Sequence, residues 1–487
     1  MKLEELCINS NKTIRDALIK IDNNAHGIVF VVDDYQLLGV ISDGDIRRAI
    51  ISGKSINTEV SDVYNKQCIS LTHNASIEEI QSTLSERYKV IPLVDDNKKV
   101  VDFASIYRLH QTPVLEPLLG GNELEYVTDC VKTNWISSQG KYVLQFEEEV
   151  KKYTDSNYAL AVSNGTVALH LALVSLGIGE GDEVIVPDIT FGATLNAVIL
   201  AGAKPVIVDV EKQTWNISTD LINKNITQNT KAIMPVHIYG VPCNMAEIMT
   251  IAEHHNLHVI EDCAEALGSS IDGKHVGTFG DIGTFSFFGN KVITCGEGGA
   301  LIFRDVNAYN KAKILRDHGM TPGKRYWHDV VGFNYRLTNL QAAIGCAQFE
   351  QLEQFREKRK QIFSWYDKYL LNSKFFDKQF LSNDYESSYW LYTVLIKDKG
   401  LINRDELIVR LSKLGIDSRP IFYPMSQMPA FQECKTDLNG VSEHISASGI
   451  SLPTSVYLTE DDVCKISNKV INCLGSAEDL KMVVQDG

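Results

Sequence analysis

No apolar run in this chain approaches the roughly 18 residues needed to cross a bilayer, which argues against a helical membrane protein. Paired cysteine motifs are also missing. The ten cysteines form no CxxC and no Cys/His cluster at zinc-ligand spacing, so reduced packing thiols are expected rather than disulfides or a metal site. Positive charge is in deficit: the formal net charge is -15, and a basic face able to displace counterions from nucleic acid is not expected. No secretory leader is expected either. The opening MKLEELCINSNKTIRDAL is charged and mixed, without an apolar core and a small-residue cleavage site, and the expectation is a cytoplasmic protein. An anionic small substrate stays open, because a few backbone N–H groups and one or two basic side chains can hold phosphate whatever the overall charge.

What is present begins with length. At 487 residues the chain is long enough for two or three domains. In the first hundred residues one pattern occurs twice. His26–Ile50, HGIVFVVDDYQLLGVISDGDIRRAI, reads as strand, Asp-Asp turn, strand and helix, and Lys89–Leu109, KVIPLVDDNKKVVDFASIYRL, repeats that order. After a joint near Gln111-Thr112-Pro113 the texture changes. Apolar runs EVIVP, PVIVDV, AIMPVH, LHVIED, IGTFSF and ALIF alternate with helical stretches such as VALHLALVSL and MAEIMTIAEHHN. That alternation predicts an α/β domain built on a mostly parallel sheet. The expected boundaries are 1–110 for the duplicated module, 113–355 for the large α/β domain, 356–474 for a smaller α+β lobe and 475–487 for a tail.

Four features of the large domain form a chemical set. Lys291 follows the apolar strand of DIGTFSFFGNKVITCGEGGAL and precedes a glycine cluster, a setting in which desolvation favours a reactive neutral amine. Asp262 closes LHVIED at the carboxyl end of a strand, where open α/β sheets place ligands. Ser163-Asn164-Gly165-Thr166 immediately precedes the helix VALHLALVSLG, so free N–H groups and the helix dipole would meet an anion there, and Ser286 can add a hydroxyl. Phe191, in PDITFGATLNAV, is a candidate for stacking on a ring. An imine-forming lysine, an acid for a pyridine nitrogen, a phosphate cradle and a stacking ring are what pyridoxal-phosphate catalysis needs. Each feature has an ordinary alternative: a solvated lysine, a capping aspartate, a plain helix start and a core aromatic.

Together SNGTVALHLAL, PDITFGATLNAV, EDCAEALGSS, TFSFFGNKVITCGEGGAL and GFNYRLTNLQAAIG resemble the DegT/StrS family of nucleotide-sugar aminotransferases, over about Pro113 to Leu474. The resemblance implies the fold type I aminotransferase architecture, with pyridoxal 5′-phosphate as cofactor. It makes Lys291 the Schiff-base lysine and Asp262 the partner of the pyridine nitrogen. Gly165, Thr166 and Ser286 then hold the phosphate, Phe191 stacks on the ring and Glu265 sits near the phenolic oxygen. Asn334 corresponds to an asparagine that reaches the phosphate from a neighbouring subunit, which implies a homodimer with shared active sites. Within the family, NWISSQGKYVLQFEEEV, RDHGM and RYWHDVVGFNYRLTN are similar to the perosamine synthases, which aminate GDP-4-keto-6-deoxymannose with glutamate for O-antigen synthesis. That likeness nominates His318, Trp327, His328 and Arg336 as substrate contacts. Related dehydratases carry histidine in place of the lysine, so Lys291 favours transfer. The alternatives are a UDP- or dTDP-linked keto sugar as acceptor, or a nucleotide-sensing regulator with an inert cofactor fold.

The duplicated N-terminal module resembles the CBS-domain pair, which implies an adenine nucleotide as ligand. In its first copy Ser42-x-x-Asp45 falls at the family's ribose-contacting motif, whereas the second copy, Val101-Asp102-Phe103-Ala104-Ser105, lacks it. One nucleotide per chain is the expectation, and a purely packing role is the alternative.

Overall fold

The computed structural model describes residues 3–24, 26–73, 75, 77–85, 88–105, 112–324, 326–397 and 402–475. The expected tail, apart from Gly475, and the second repeat beyond Ser105 lie outside them. The chain forms two compact units, one of Met1–Pro113 with Ile408–Ser418 and one of Val114–Leu407 with Arg419–Gly487.

The N-terminal unit is built twice. In the first copy β1 (Cys7–Asn9) runs parallel to β2 (Ile28–Asp33), which pairs antiparallel with β3 (Gln36–Ser42). The second copy repeats this with β4 (Leu71–Thr72), β5 (Val90–Val94) and β6 (Val100–Ser105). Even the irregularity recurs, since the register shifts between Val31 and Val32 and again between Leu93 and Val94. Phe30 and Val32 pack with Val90, Val94, Val100 and Phe103 in one buried cluster, so each half covers apolar surface that the other exposes.

The second unit centres on an eight-stranded sheet. Its strands are β7 (Tyr158–Val162), β8 (Glu183–Pro187), β9 (Lys204–Val208), β10 (Thr230–Ile233), β11 (His258–Asp262), β14 (Ile282–Ser286), β15 (Gly299–Phe303) and β20 (Lys435–Asp437), in the order β20-β9-β8-β10-β11-β14-β15-β7. Pairing is parallel from β20 to β14 and antiparallel on both sides of β15. Strand residues alternate between two cores, as pleating requires: Val184 and Val186 join the cluster of Leu160, Ile207, Ile260 and Leu301, while Ile185 joins Val206, Val208, Ile233 and Val259. Both faces are covered, which is why these strands read as near-continuous apolar runs.

The helix Gly165–Leu176 crosses the first face and is buried at Ala168, Leu169, Leu171, Ala172 and Leu173. Asn164 starts it by accepting the Val167 N–H, and Gly177, at φ 85°, ends it in the left-handed region. Truncating Leu171 to alanine would remove about 2–5 kcal/mol of packing.

The remaining strands are short. β12 (Ser270–Ile271), β13 (Lys274–His275) and β17 (Tyr385–Glu386) form one small sheet, and β16 (Phe376–Lys378), β18 (Tyr392–Ile396), β19 (Arg419–Pro420) and β21 (Gly449–Leu452) form a four-stranded one. The segment expected as a smaller α+β lobe reaches back into the large domain, because β20 joins the large sheet beside β9 and β17 pairs with β12. Two buried carboxylates fasten it. Asp209 accepts the N–H groups of Val210, Asn439, Val441 and Ser442, and these bonds hold its carboxyl below the usual range. Asp188 accepts from Ser426 N–H and from the Ser426 and Ser442 hydroxyls. Such long-range ties leave no periodic trace in sequence.

Candidate active site

A cavity of about 650 Å³ opens at the carboxyl ends of the parallel strands and is lined by Gly165, Thr166, Phe191, Asp262, Glu265, Ser286 and Lys291. Seven residues nominated from separate strings therefore meet in one place.

Lys291 sits on the turn that follows β14, its N–H closing onto the Phe288 carbonyl at 3.0 Å. Its Nζ lies 3.8 Å from Glu265 Oε1 and 4.1 Å from the ring centroid of Trp390. Burial pushes the lysine below its ordinary value, against the pull of Glu265 and Asp262. Burial likewise pushes Glu265 up to about 7, opposed by the Lys291 charge and by the Tyr239 N–H, which donates to Glu265 Oε2 at 2.7 Å. An amine whose proton burial loosens and a carboxyl whose proton burial tightens thus share one buried corner.

Asp262 ends β11 and is 4% exposed. Its Oδ2 accepts the Thr194 hydroxyl at 2.9 Å and its Oδ1 accepts the Ala264 N–H at 3.1 Å, which fix the carboxylate while burial pushes its pKa upward. At another point of the cavity the helix Gly165–Leu176 begins. The Asn164 side chain takes only the Val167 N–H, leaving the Gly165 and Thr166 donors without an intrahelical partner. A Cβ on Gly165 would stand 2.9 Å from Ser286 Cβ, so glycine is what lets β14 and the helix start close into a cradle of N–H and hydroxyl groups. Anchoring amine, acid, anion cradle and ring-sized space fit pyridoxal phosphate.

Phe191 is 63% exposed at the rim. It heads a row of aromatic rings: Phe191 lies 6.0 Å from Phe422, Phe422 stacks on Tyr239 at 5.6 Å and Tyr239 on Trp390 at 5.8 Å. Of this row only Phe191 was legible in sequence. Trp390 and Phe422 come from distant segments with no motif around them, and so does Arg419, the one basic side chain besides Lys291 among the described lining residues. Thr194 stood in the same string as Phe191 and could have been nominated from it.

The other five nominated residues do not line this cavity. They gather instead on the segment 317–336. Arg336 pairs with Asp317 at 2.9 Å, donates from Nε to Asn334 Oδ1 at 3.1 Å and donates from Nη2 to His318 Nε2 at 3.1 Å. The His328 Nδ1–H reaches the His318 carbonyl at 2.8 Å, and Trp327 Nε1–H donates to Asp329 at 2.9 Å. His318 itself adopts φ 60°, in the left-handed region.

In the N-terminal unit Ser42 and Asp45 engage each other. Ser42 Oγ donates to Asp45 Oδ2 at 2.6 Å and accepts the Asp45 N–H, a capping box for the helix Asp43–Ile51, while Asp45 Oδ1 pairs with Arg48 at 2.6 Å. A cavity of this unit is lined by His26, Gly27, Asp43 and Lys89 among others, and by neither Ser42 nor Asp45.

Comparison with known proteins places this geometry. Residues 117–471 match the DegT/DnrJ/EryC1/StrS aminotransferase family, and residues 1–52 and 60–109 match the CBS domain. The GDP-perosamine synthase of Caulobacter vibrioides is 45% identical over 359 residues, 74% of this chain and 97% of that protein. The GDP-perosamine synthase of Escherichia coli O157:H7 is 45% identical over 358 residues, with the same coverage of 74% and 97%. Among solved structures, S. venezuelae DesV in complex with a ketimine intermediate superposes with a TM-score of 0.67 at 30% identity, covering 72% of this chain and 93% of that one.

Proposed function

The chain belongs to the DegT/DnrJ/EryC1/StrS aminotransferase family, and from that premise we propose that it uses pyridoxal phosphate to move the amino group of glutamate onto a GDP-linked 4-keto-6-deoxy sugar. The product is GDP-perosamine, destined for a surface polysaccharide such as an O-antigen. The observation that carries this reading is the convergence of Lys291, Asp262, Glu265 and the Gly165–Thr166 helix start on one cavity, in a chain 45% identical to two GDP-perosamine synthases along nearly their whole length.

When bound, pyridoxal phosphate supplies an aldehyde that condenses with amines and a ring that takes up the electrons left by a departing proton. The Gly165 and Thr166 N–H groups and the Ser286 hydroxyl would hold its phosphate, favoured by the positive end of the helix. Asp262, kept in place by Thr194 and Ala264, would be the partner that keeps the ring nitrogen protonated. Phe191 covers the ring. Lys291 Nζ would anchor the cofactor and, once free, would be the base placed to take the proton from the donor's α-carbon and to hand it back. With the sugar ketone bound, the same amine moves a proton in the opposite sense. Glu265 holds a proton beside Nζ near neutral pH. Arg419, the remaining cation of the cavity, suits a carboxylate of the amino donor.

Asn334, His318, Trp327, His328 and Arg336 are not among the residues lining their own chain's cavity, a placement that fits a homodimer in which each copy completes its neighbour's site. The assay that tests the reading supplies glutamate with GDP-, UDP- and dTDP-linked 4-keto-6-deoxy sugars. A kcat/KM at least about tenfold higher for the GDP sugar is expected, equivalent to ~1.4 kcal/mol of transition-state discrimination. Preference for a UDP or dTDP sugar would overturn the acceptor assignment, and no transfer to any of them would overturn the reading as a whole.

A further inference from the structure

The turn that carries Lys291 is held on both sides by side chains from much later in the chain. Trp390 Nε1–H donates to the Asn290 carbonyl at 2.6 Å, and Arg359 Nη1 donates to the Val292 carbonyl at 2.8 Å. The carbonyl of the residue before the lysine and that of the residue after it are therefore each fixed by a donor, and both donor residues are 3% exposed. Among the described residues no carboxylate forms an ion pair with Arg359, its Nε has no partner, and burial pushes the guanidinium down to about 10. A buried cation with one hydrogen bond costs stability, so its retention points to the carbonyl it holds.

Trp390 is placed for a second task. Its ring lies 4.1 Å from Lys291 Nζ. Tyr239 stacks on the indole at an interplanar angle of 19°, and Phe422 stacks on Tyr239 in turn, so the indole cannot swing away. The negative face of an aromatic ring attracts an ammonium and repays part of the desolvation that burial imposes on it.

We propose that Trp390 is a positioning residue for Lys291: its N–H, together with Arg359, sets the lysine's turn, and its ring face holds Nζ as the ammonium whenever the amine is not covalently engaged. During transfer the freed lysine alternates between amine and ammonium, and the indole gives the charged form a fixed resting place within reach of the reacting carbon. The other ionisable groups around Nζ are Glu265 and Asp262, both carried by β11 and the segment after it, with Tyr239 behind the indole, Arg359 reaching the turn, and Glu297 and Arg419 also on the cavity wall. The proposal concerns the amine itself and stands whether or not the acceptor is a GDP sugar.

The test titrates Lys291 directly. Full-length chain freed of cofactor is treated with fluorodinitrobenzene, which attacks only the neutral amine, over a range of pH, and arylation of the Lys291 peptide is quantified by mass spectrometry. Trp390→Leu removes ring and N–H, whereas Trp390→Phe keeps a ring and loses the N–H. The Leu variant is expected to titrate about one pH unit lower than wild type, with arylation below the midpoint about tenfold faster. The Phe variant should move by less than half as much, yet show slower single-turnover proton transfer with glutamate because its turn has lost a tether. Equal midpoints for the Leu variant and wild type, or equal shifts for Leu and Phe, would overturn the proposal. Should the Leu variant fail to fold, Trp390→Met, which fills the volume without a π face, takes its place under the same two criteria. Failure here leaves the sugar assay unaffected, so the two readings are separable.

Discussion

Replacing Glu265 with glutamine separates that side chain's charge from its shape. The amide keeps an oxygen for the Tyr239 N–H, now met at 2.7 Å by Oε2, but it can neither ionise nor bind a proton in the relevant range. Burial raises the native carboxyl from 4.5 to about 7. Because the folded value lies above the unfolded one, the folded protein binds more protons than the unfolded chain between those limits, and stability falls as pH rises through that window. A difference of about 2.5 units at about 1.4 kcal/mol each caps the loss at about 3.5 kcal/mol. Lys291 acts in the opposite sense: its folded value is lowered, so it makes stability rise with pH on the approach to 10.5. Calorimetry on the cofactor-free full-length chain between about pH 5 and 7 reads the effect. The wild-type midpoint for the aminotransferase unit should drop by a few degrees relative to Glu265→Gln over that interval. Parallel curves for the two proteins would refute the reasoning, because the buried carboxyl would then not be the group that takes up the proton.

Lys291→Ala should abolish transamination while leaving the fold intact, and activity within about tenfold of wild type, ~1.4 kcal/mol of barrier, would remove the lysine from its assigned role. Asp262→Asn should lower turnover more than cofactor affinity, since the amide oxygen keeps the Ala264 N–H and its NH2 can donate to the Thr194 hydroxyl, but the amide cannot hold the ring nitrogen protonated; unchanged turnover would leave Asp262 as a structural residue. Adenine nucleotide should raise the melting temperature by binding the N-terminal unit at one equivalent per chain, about 2.7 kcal/mol at a hundredfold excess over Kd, and Asp45→Ala should remove that increment. The Asp45 variant also loses its capping box, about 1 kcal/mol without any ligand, so the readout is the change on adding nucleotide. No binding of AMP, ADP, ATP or S-adenosylmethionine at millimolar concentration would leave this unit as an assembly element.

Legibility in the sequence followed how local each feature is. The parallel strands announced themselves because both faces are buried and their central positions are apolar, as in Val184–Val186 against their two separate cores. The phosphate cradle was readable because Asn164, Gly165 and Thr166 are contiguous and start a helix. Duplication showed in the N-terminal unit because the same strand, turn and strand recur with the same irregularity. What could not be read is what depends on chain return. Trp390, Phe422 and Arg419 join the cavity only through strands β18, β19 and β21 and their connections, and β20 enters the large sheet through a pairing that no periodicity foretells. Ser42 and Asp45 illustrate the opposite limit: the spacing of a ribose motif is also that of a capping box, and in this structure the two side chains satisfy each other.

The central claim is that Lys291 is the amine that reacts, and trapping tests it most directly. The enzyme loaded with pyridoxal phosphate is reduced with borohydride, digested and mapped by mass spectrometry. The account predicts a single pyridoxyl label on the peptide containing Asn290-Lys291-Val292, lost when glutamate is added before the reductant; a label on any other lysine, or none, would contradict it.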